Sequence, residues 1–150
     1  MQGSWKIREA GPKDLHLILQ ADVFDGPARR DWVRRTLGPE GQPDPRNVLM
    51  LASVNERVVG FASGTVIDHP DKAPTLFINE LGVNDAARRQ GIGRALLQAI
   101  RAAGRARGCQ TSWVATEGDN AAARALYRAT GGTETADIVM YDWNEARLPR

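Results

Sequence analysis

The first part of the chain has short apolar runs that glycine and proline interrupt. Residues 6–9 form a strand candidate, and the Gly11-Pro12 pair that follows breaks it. Proline suits the first turn of a helix, so a helix is predicted from there to about residue 23. Its apolar stripe is formed by Leu15, Ile18 and Leu19.

The next part changes from helical spacing to strand spacing. Residues 25–38 predict a second helix, with a proline in its first turn and a glycine as its stop, and residues 39–46 predict a loop. Two β-rich runs over residues 47–67 predict a hairpin, and the apolar run over residues 75–83 predicts another strand.

From residue 91 the apolar spacing becomes helical again. Residues 91–108 predict a long helix with one apolar face, formed by Ile92, Ala95, Leu96, Ala99, Ile100 and Ala103. A strand over residues 109–116, a short helix over residues 120–132 and a last strand over residues 135–143 complete the pattern. This order predicts an α/β (α+β) fold, with a mixed sheet and helices on both of its faces.

Length and composition favour a soluble globular protein. The 150 residues fit a single domain over residues 1–150, and 42% apolar with 25% charged residues is typical of that class. No apolar run reaches the roughly 18–20 residues that would span a bilayer. The first 15 residues lack the apolar centre of a signal peptide. We therefore expect a cytoplasmic protein with no membrane partner.

Charge and cysteine content restrict the chemistry further. A net charge of +2 is too small for a general nucleic-acid binder, so clustered arginines such as Arg88, Arg89 and Arg94 indicate local anion sites. Cys109 is the only cysteine, which excludes an internal disulfide and a cysteine-cluster zinc site. It lies at the head of an apolar run, where a buried structural thiol is expected. Nothing in the sequence indicates a metal.

The segment "NDAARRQGIGRALL", residues 84–97, joins a strand to a helix through two arginines and two glycines. A helix N-terminus presents unpaired N–H groups, and glycine lets the backbone approach an anion. The segment lacks the third glycine of a dinucleotide fingerprint and the G-K-[ST] of a P-loop. By itself it is either a phosphate cradle or an ordinary tight turn.

Two further segments carry candidate side chains. Glu80 lies within the apolar strand "FINELGV", where it faces either solvent or a cleft. In "GDNAAARALYRATGG", Asn120 stands at a helix start and Tyr127 about two turns along the same face. An asparagine there is commonly a cap, and a tyrosine there commonly packs in the core. Each residue also suits a ligand-binding cleft.

Together these segments resemble the GNAT superfamily of acyl-CoA-dependent N-acetyltransferases. "RRQGIG" matches the superfamily's [Q/R]-x-x-G-x-[G/A] pyrophosphate loop, "ELGV" is similar to its cofactor-pairing strand, and "N…ALY…G" is similar to its second cofactor motif. The resemblance implies a mixed sheet of six to seven strands with a splayed central pair. It also implies acetyl-CoA as the acyl donor.

The resemblance assigns roles to individual residues. The implied CoA-binding set is Leu81, Gly82, Val83, Arg88, Arg89, Gln90, Gly91, Ile92, Gly93, Arg94, Asn120 and Tyr127. The amides of residues 89–94 would hold the pyrophosphate, and an N–H near Val83 would polarise the thioester carbonyl. Tyr127 would donate a proton to the departing thiolate. Glu80 is the expected base, since burial on the strand would raise its pKa towards neutrality.

The acceptor is expected to be a small-molecule amine. The motifs are most similar to those of GNAT-type aminoglycoside 3-N-acetyltransferases, which implies a polycationic acceptor and antibiotic resistance. The acidic residues proposed to bind it are Asp22, Asp25, Glu80, Glu117 and Asp142. Two features depart from that likeness: Asn79 replaces an expected aromatic residue, and the helix "PARRDWVRR" is basic. A polyamine, amino acid or protein N-terminus as acceptor, and a non-catalytic CoA-binding protein, remain alternatives.

The same resemblance implies a possible homodimer. Homodimers are common among such enzymes, and the predicted last strand could pair across an interface between two copies.

Overall fold

The computed structural model describes residues 4–38 and 41–147, so residues 39 and 40 of the predicted 39–46 loop lie outside it. Its five strands are β1 (Trp5–Glu9), β2 (Asn47–Val54), β3 (Arg57–Ile67), β4 (Thr75–Val83) and β5 (Thr111–Trp113). Its α-helices are α1 (Leu15–Leu19), α2 (Arg30–Leu37), α3 (Ile92–Ala106) and α4 (Ala121–Ala129). Short 3-10 turns at Pro12–Asp14, Asp85–Ala87 and Glu145–Arg147 complete the elements.

The strands form one mixed sheet in the order β1-β2-β3-β4-β5. The first four are antiparallel neighbours, and β5 runs parallel to β4. The β2–β3 hairpin turns at Asn55 and Glu56, which both have positive φ, 47° and 64°. Two such residues make the type of turn whose twist matches that of the strands. The predicted hairpin and mixed sheet are thereby confirmed.

Helices cover both faces of the sheet, as the sequence predicts. The apolar stripe of α3 packs on one face, where Leu76, Ile92, Leu96 and Ile100 are at most 1% exposed. On the opposite face, α1 and α2 pack Ile18, Val33 and Leu37 against β2 and β3. Cys109 is buried in the α3 core, and this burial raises the pKa of its thiol. The expected structural thiol is therefore confirmed.

Both predicted N-terminal helices are longer than the observed ones. The first ends at Leu19 rather than near residue 23, and the second begins at Arg30 rather than near residue 25. Between them lies the Asp25-Gly26-Pro27 segment. Aspartate, glycine and proline favour turns as strongly as helix ends, so periodicity alone assigns them to the wrong element. At the other end of α2, Gly38 has φ 69° and terminates the helix as predicted.

The C-terminal strand predicted over residues 135–143 is wrong for this chain. Residues 131–146 include no strand, and every one of them is exposed. The described sheet therefore has five strands instead of the expected six to seven. A run of β-branched and aromatic residues shows that a segment can form a strand, but a strand also needs a neighbour for its backbone groups.

None of the helices described over residues 4–38 and 41–147 has the length and apolar character needed to cross a membrane.

Candidate active site

A cleft opens where β4 and β5 separate. The two strands pair only at Thr75–Phe77 with Thr111–Trp113, and the Phe77 and Trp113 rings stack there with centroids 4.3 Å apart. Beyond this pair the chains diverge, as the resemblance implies. They enclose a cavity of about 260 Å³, whose walls are Leu81 and Gly82 on β4 and residues 114–116 after β5.

A β-bulge in β4 lies at the floor of this cleft. Ser63 of β3 is opposite Glu80, whereas the next residue, Gly64, is opposite Ile78, so Asn79 is an extra residue in β4. Regular alternation would place Asn79 and Glu80 on opposite faces of the sheet. The bulge instead leaves both exposed, and Asn79 donates from Nδ2 to Thr65 Oγ1 at 2.9 Å. Two adjacent polar side chains thus enter the same site.

A second cavity, of about 320 Å³, lies on the other side of these residues. Most of its lining is apolar and comes from the segment before α2, from α2 itself and from the sheet: Phe24, Pro27, Ala28, Trp32, Val33, Leu49 and Phe61. Four residues line both cavities: Asp25, Phe61, Asn79 and Glu80. The cavities therefore meet at the bulge, with two carboxylates at their junction.

The turn before α3, residues 88–91, contains two residues in the left-handed region of backbone conformation. Arg89 and Gly91 have positive φ, 63° and 83°, and α3 begins at Ile92. Alternation of left-handed and right-handed residues directs successive N–H groups to one side, and the first N–H groups of a helix have no intrahelical partner. Trp5 Nε1 of β1 donates to the Gln90 carbonyl at 3.1 Å and holds the turn.

The arginine side chains of this turn make contacts within the protein. Arg88 Nε donates to the Val83 carbonyl at 3.1 Å, and its Nη1 pairs with Asp85 at 3.1 Å. Arg94 Nη2 donates to the Ala129 carbonyl at 3.4 Å. These contacts tie the turn to the end of β4 and to the end of α4. The side chains of Arg88 and Arg94 are thus engaged within the protein.

Helix α4 forms the other wall of the first cavity. Asn120 caps it, because Asn120 Oδ1 accepts from the Ala123 N–H at 3.1 Å, and it also lines the cavity. The capping and cleft interpretations of Asn120 are thus compatible, since the cap uses only the amide oxygen. Tyr127 also lines the cavity, and partial burial raises the pKa of its phenol. Its hydroxyl therefore stays protonated at neutral and mildly alkaline pH.

The structure brings together only part of the acidic set proposed for the acceptor. Asp25 and Glu80 line both cavities, whereas Asp22, Glu117 and Asp142 line neither. Glu80 is exposed, so the expectation that burial would perturb its carboxylate is wrong. The cause is the bulge, which directs Glu80 out of the strand's packed surface. Asp142 lies in the exposed C-terminal segment instead of a last strand.

Three site residues were missed by sequence analysis: Trp5, Trp32 and Phe61. Trp5 lies 85 residues before the turn that it holds, and no local pattern joins the two. Trp32 and Phe61 line the second cavity from a helix and a strand. Aromatic residues at such positions usually pack in a core. The sequence offered no signal for Phe61, because its place opposite Gly82 depends on the register between β3 and β4.

The basic helix α2 contributes little positive charge to the second cavity. Arg29, just before the helix, lines the cavity, and its Nη2 bonds Asp31 at 3.0 Å. Arg35 pairs with the same carboxylate at 3.4 Å. Asp31 therefore offsets part of the arginine charge beside the cavity.

Comparison with known proteins identifies the family. Residues 14–131 match the family model for acetyltransferases of the GNAT family. The chain is 39% identical over 118 residues to a mycothiol acetyltransferase of Clavibacter sepedonicus, covering 78% of this chain and 35% of that protein. It is 23% identical over 95 residues to an aminoglycoside N(6')-acetyltransferase type 1 of Salmonella typhimurium, covering 61% of this chain and 66% of that protein. The chain therefore spans less than two thirds of either relative.

Solved structures share the fold at low identity. An aminoglycoside acetyltransferase, meta-AAC0020, from a soil metagenome in complex with sisomicin has a TM-score of 0.77 at 19% identity, covering 93% of this chain and 95% of the other. AAC(6')-Iy in complex with a bisubstrate analogue, CoA-S-monomethyl-acetylneamine, has a TM-score of 0.75 at 18% identity, covering 95% and 99%. The family match and this shared fold confirm the resemblance seen in the motifs: the chain belongs to the GNAT family of acetyltransferases.

Proposed function

We propose that the protein transfers an acetyl group from acetyl-CoA directly to a primary amine. The observation that carries this proposal is the meeting of two cavities at Asn79 and Glu80. A cleft between splayed strands suits the narrow pantetheine arm, and the wider apolar cavity suits the acceptor. With both bound, the amine and the thioester carbonyl would share the junction, so no covalent enzyme intermediate is needed.

The donor side fits a CoA molecule in three respects. The α3 N-terminus and the turn before it direct amides towards an anion, which suits a pyrophosphate. A Cβ at Gly93 would point at Leu126, Leu81 and Val83, at 3.6–4.0 Å, so glycine keeps the space between β4 and α4 open. Beyond Phe77, no β5 residue pairs with β4 in the described sheet, so the edge near Val83 is available to an amide-containing arm.

Acetyl-CoA supplies an acetyl thioester, and the protein's groups move the protons. Glu80 accepts a proton from the ammonium group, directly or through water, and so exposes the nitrogen lone pair. An N–H near Val83 stabilises negative charge on the carbonyl oxygen. As the C–N bond forms and the C–S bond breaks, the Tyr127 hydroxyl would donate its proton to the thiolate. The acylated nitrogen would lose its extra proton to water, and exchange with water would restore the Tyr127 hydroxyl. The raised pKa of Tyr127 keeps that proton available.

For the acceptor we propose an aminoglycoside. Asp25 and Glu80 at the junction suit an ammonium group, and members of the fold class are crystallised with sisomicin and with an acetylneamine conjugate. The sequence motifs favour acetylation at the 3-amino group, whereas the Salmonella relative is named for the 6' position. The regiochemistry of the product decides between these two sites.

A second candidate acceptor is an amine that carries an apolar group. Its support is the lining of the second cavity, in which Phe24, Trp32 and Phe61 outnumber the acidic residues. An aminoglycoside presents mainly hydroxyl and ammonium groups, which apolar walls do not satisfy. Such an acceptor is one of the alternatives to an aminoglycoside. A protein N-terminus with an apolar first residue is an example.

The test measures turnover of acetyl-CoA with each amine of a panel. Thiol release gives the rate, and mass spectrometry identifies the acetylated product. The panel contains sisomicin, gentamicin, a polyamine, an arylalkylamine and a peptide with a free N-terminus. Glu80→Gln should lower kcat at neutral pH by about 100-fold and recover part of it at high pH, where the amine deprotonates unaided. Glu56→Gln, in the exposed β2–β3 turn, is the matched control and should keep its activity.

Each outcome selects among the alternatives. Turnover of the aminoglycosides supports the first acceptor, and turnover confined to the arylalkylamine or peptide supports the second. CoA binding by calorimetry without transfer to any amine would show a CoA-binding protein without transferase activity. An unchanged pH–rate profile in Glu80→Gln would remove Glu80 from the role of base.

A further inference from the structure

A polar patch lies on the sheet face that carries the second cavity. It consists of four residues on two adjacent strands: Ser63, Thr65, Asn79 and Glu80. Ser63 lies opposite Glu80, and Thr65 follows two positions along β3 on the same face. Ile78 and Leu81 pack in the α3 core on the other face. The bulge therefore directs both intervening residues of β4 to the side of Ser63 and Thr65.

The patch is the polar part of a largely apolar wall. Ser63 is only 7% exposed, and it lines the second cavity, so the accessible part of its side chain faces that space. Its neighbours on the same wall are Leu49, its partner on β2, and Phe61, two positions before it on β3. Apolar walls satisfy no hydrogen bonds. A polar group of a bound molecule that reaches this wall finds its partners at the patch.

Thr65 determines which atom of the Asn79 amide is left for a ligand. Asn79 Nδ2 donates to Thr65 Oγ1 at 2.9 Å. An amide group carries its donors on the nitrogen and its acceptor on the oxygen, so this bond directs the nitrogen to β3 and leaves Oδ1 for the cavities. Asn79 is exposed and lines both cavities. A neutral acceptor atom thus lies beside the Glu80 carboxylate.

We propose that the polar patch binds the ammonium group of the acceptor, with Asn79 Oδ1, Ser63 Oγ and the Glu80 carboxylate each accepting from one N–H. A primary ammonium has three donors and no acceptor, so it matches three acceptors without a remainder. Thr65 is a positioning residue, because it acts by holding the Asn79 amide. The inference rests on the proposed function and specifies the groups that recognise the acceptor.

Calorimetry of amine binding to the CoA-bound protein tests the site without requiring turnover. The probes are sisomicin and 2-phenylethylamine, one for each candidate acceptor, and the wild type should bind at least one of them. Asn79→Leu keeps the approximate side-chain size and removes both polar groups. It should weaken binding of that amine about 10-fold or more, because a hydrogen bond to a charged group is lost. Ser63→Ala should weaken it at least about 3-fold for the same reason.

A double-mutant cycle tests whether Thr65 acts through Asn79. Thr65→Val should weaken amine binding about 3- to 10-fold, and Thr65→Ser, which keeps the hydroxyl, should restore most of the affinity. In the Asn79→Leu background, Thr65→Val should have almost no further effect, because the amide that it positions is gone. Thr111→Val makes the same change at an exposed position of β5 that lines neither cavity, and this control should bind like the wild type.

Turnover of acetyl-CoA with the same amines, measured in parallel, separates this inference from the proposed function. Turnover by the wild type, with unchanged amine affinity in Asn79→Leu and Ser63→Ala, would overturn the ammonium site and leave the proposed function standing. The expected loss of affinity without turnover of any amine would support the site and contradict the proposed function. Additive losses in the double variant would overturn the positioning role of Thr65. A wild type that binds neither amine would overturn the site itself.

Discussion

Gly91 and Gly93 give a stability prediction that contains its own control, because the two glycines are two residues apart and differ in backbone conformation. Gly91 has φ 83°, in the left-handed region, and caps the start of α3. An L-residue there meets its own carbonyl, which costs about 1–2 kcal/mol. The nearest atom to an added Cβ is a Trp5 ring carbon at 4.0 Å, so the cost of Gly91→Ala is conformational and not steric.

Gly93 is the internal control for this reasoning. It lies in the first turn of α3, and an added Cβ would meet Leu126, Leu81 and Val83 at ordinary van der Waals distances of 3.6–4.0 Å. Alanine in a helical conformation loses less backbone entropy on folding than glycine, so Gly93→Ala should gain roughly 0.4–1 kcal/mol. The two variants make the same chemical change and should differ in sign.

The assay is urea unfolding followed by circular dichroism, with thermal unfolding as a second measurement. For a domain of this size, Gly91→Ala should lower Tm by about 2–8 °C, and Gly93→Ala should raise it slightly. CoA affinity, measured by calorimetry, should fall in both variants. In Gly91→Ala the turn rearranges, and in Gly93→Ala a methyl group occupies space between Leu81 on β4 and Leu126 on α4. Equal stability changes in the two variants would refute the role assigned to the φ of Gly91.

Three further predictions concern single side chains. Tyr127→Phe should lower kcat about 100-fold. Because burial raises the pKa of Tyr127, any loss of wild-type rate through its ionisation should begin at a higher pH than for an ordinary phenol, whose pKa is about 10. Asp14 accepts hydrogen bonds from Arg8 at 2.6 and 2.5 Å and from the Gly11 N–H at 2.8 Å. These bonds lower its pKa, so its contribution is complete above the unfolded value near 4 and is lost as pH falls through the folded value. Asp14→Asn should therefore cost about 1–2 kcal/mol in urea unfolding at pH 7, reduced by the exposure of Arg8, and this cost should shrink as the pH falls below about 4. Trp5→Phe removes the bond to the Gln90 carbonyl, so it should cost about 1 kcal/mol and weaken CoA binding; an unchanged affinity would contradict the holding role.

The spacing of apolar residues predicted correctly those strands and helices whose pattern is complete within the segment itself. The bounds of β4 are those predicted, because nine residues of strand character are enclosed by turn residues. The long helix α3 carries its apolar stripe in its own sequence, and the sheet face that it covers is apolar along its length. In both cases, the information that specifies the element lies within the element.

The geometry of the candidate site depends on information that single segments do not contain. Whether Glu80 faces a cleft or the packed core is determined by one extra residue in β4, which is visible only when its register with β3 is known. The same bulge explains why Asn79, an unexpected residue in the family comparison, can join Glu80 at the junction of the cavities. The second cavity similarly requires Trp32 and Phe61, which are 29 positions apart in the sequence, to line the same space.

The C-terminal segment shows the same limit. Its apolar and aromatic residues predict a strand over residues 135–143, whereas the structure leaves residues 131–146 exposed and without a strand. A strand needs a partner for its backbone N–H and C=O groups, and that partner lies outside the segment. The residues of the segment therefore indicate that it is able to form a strand, but they do not determine where a strand forms.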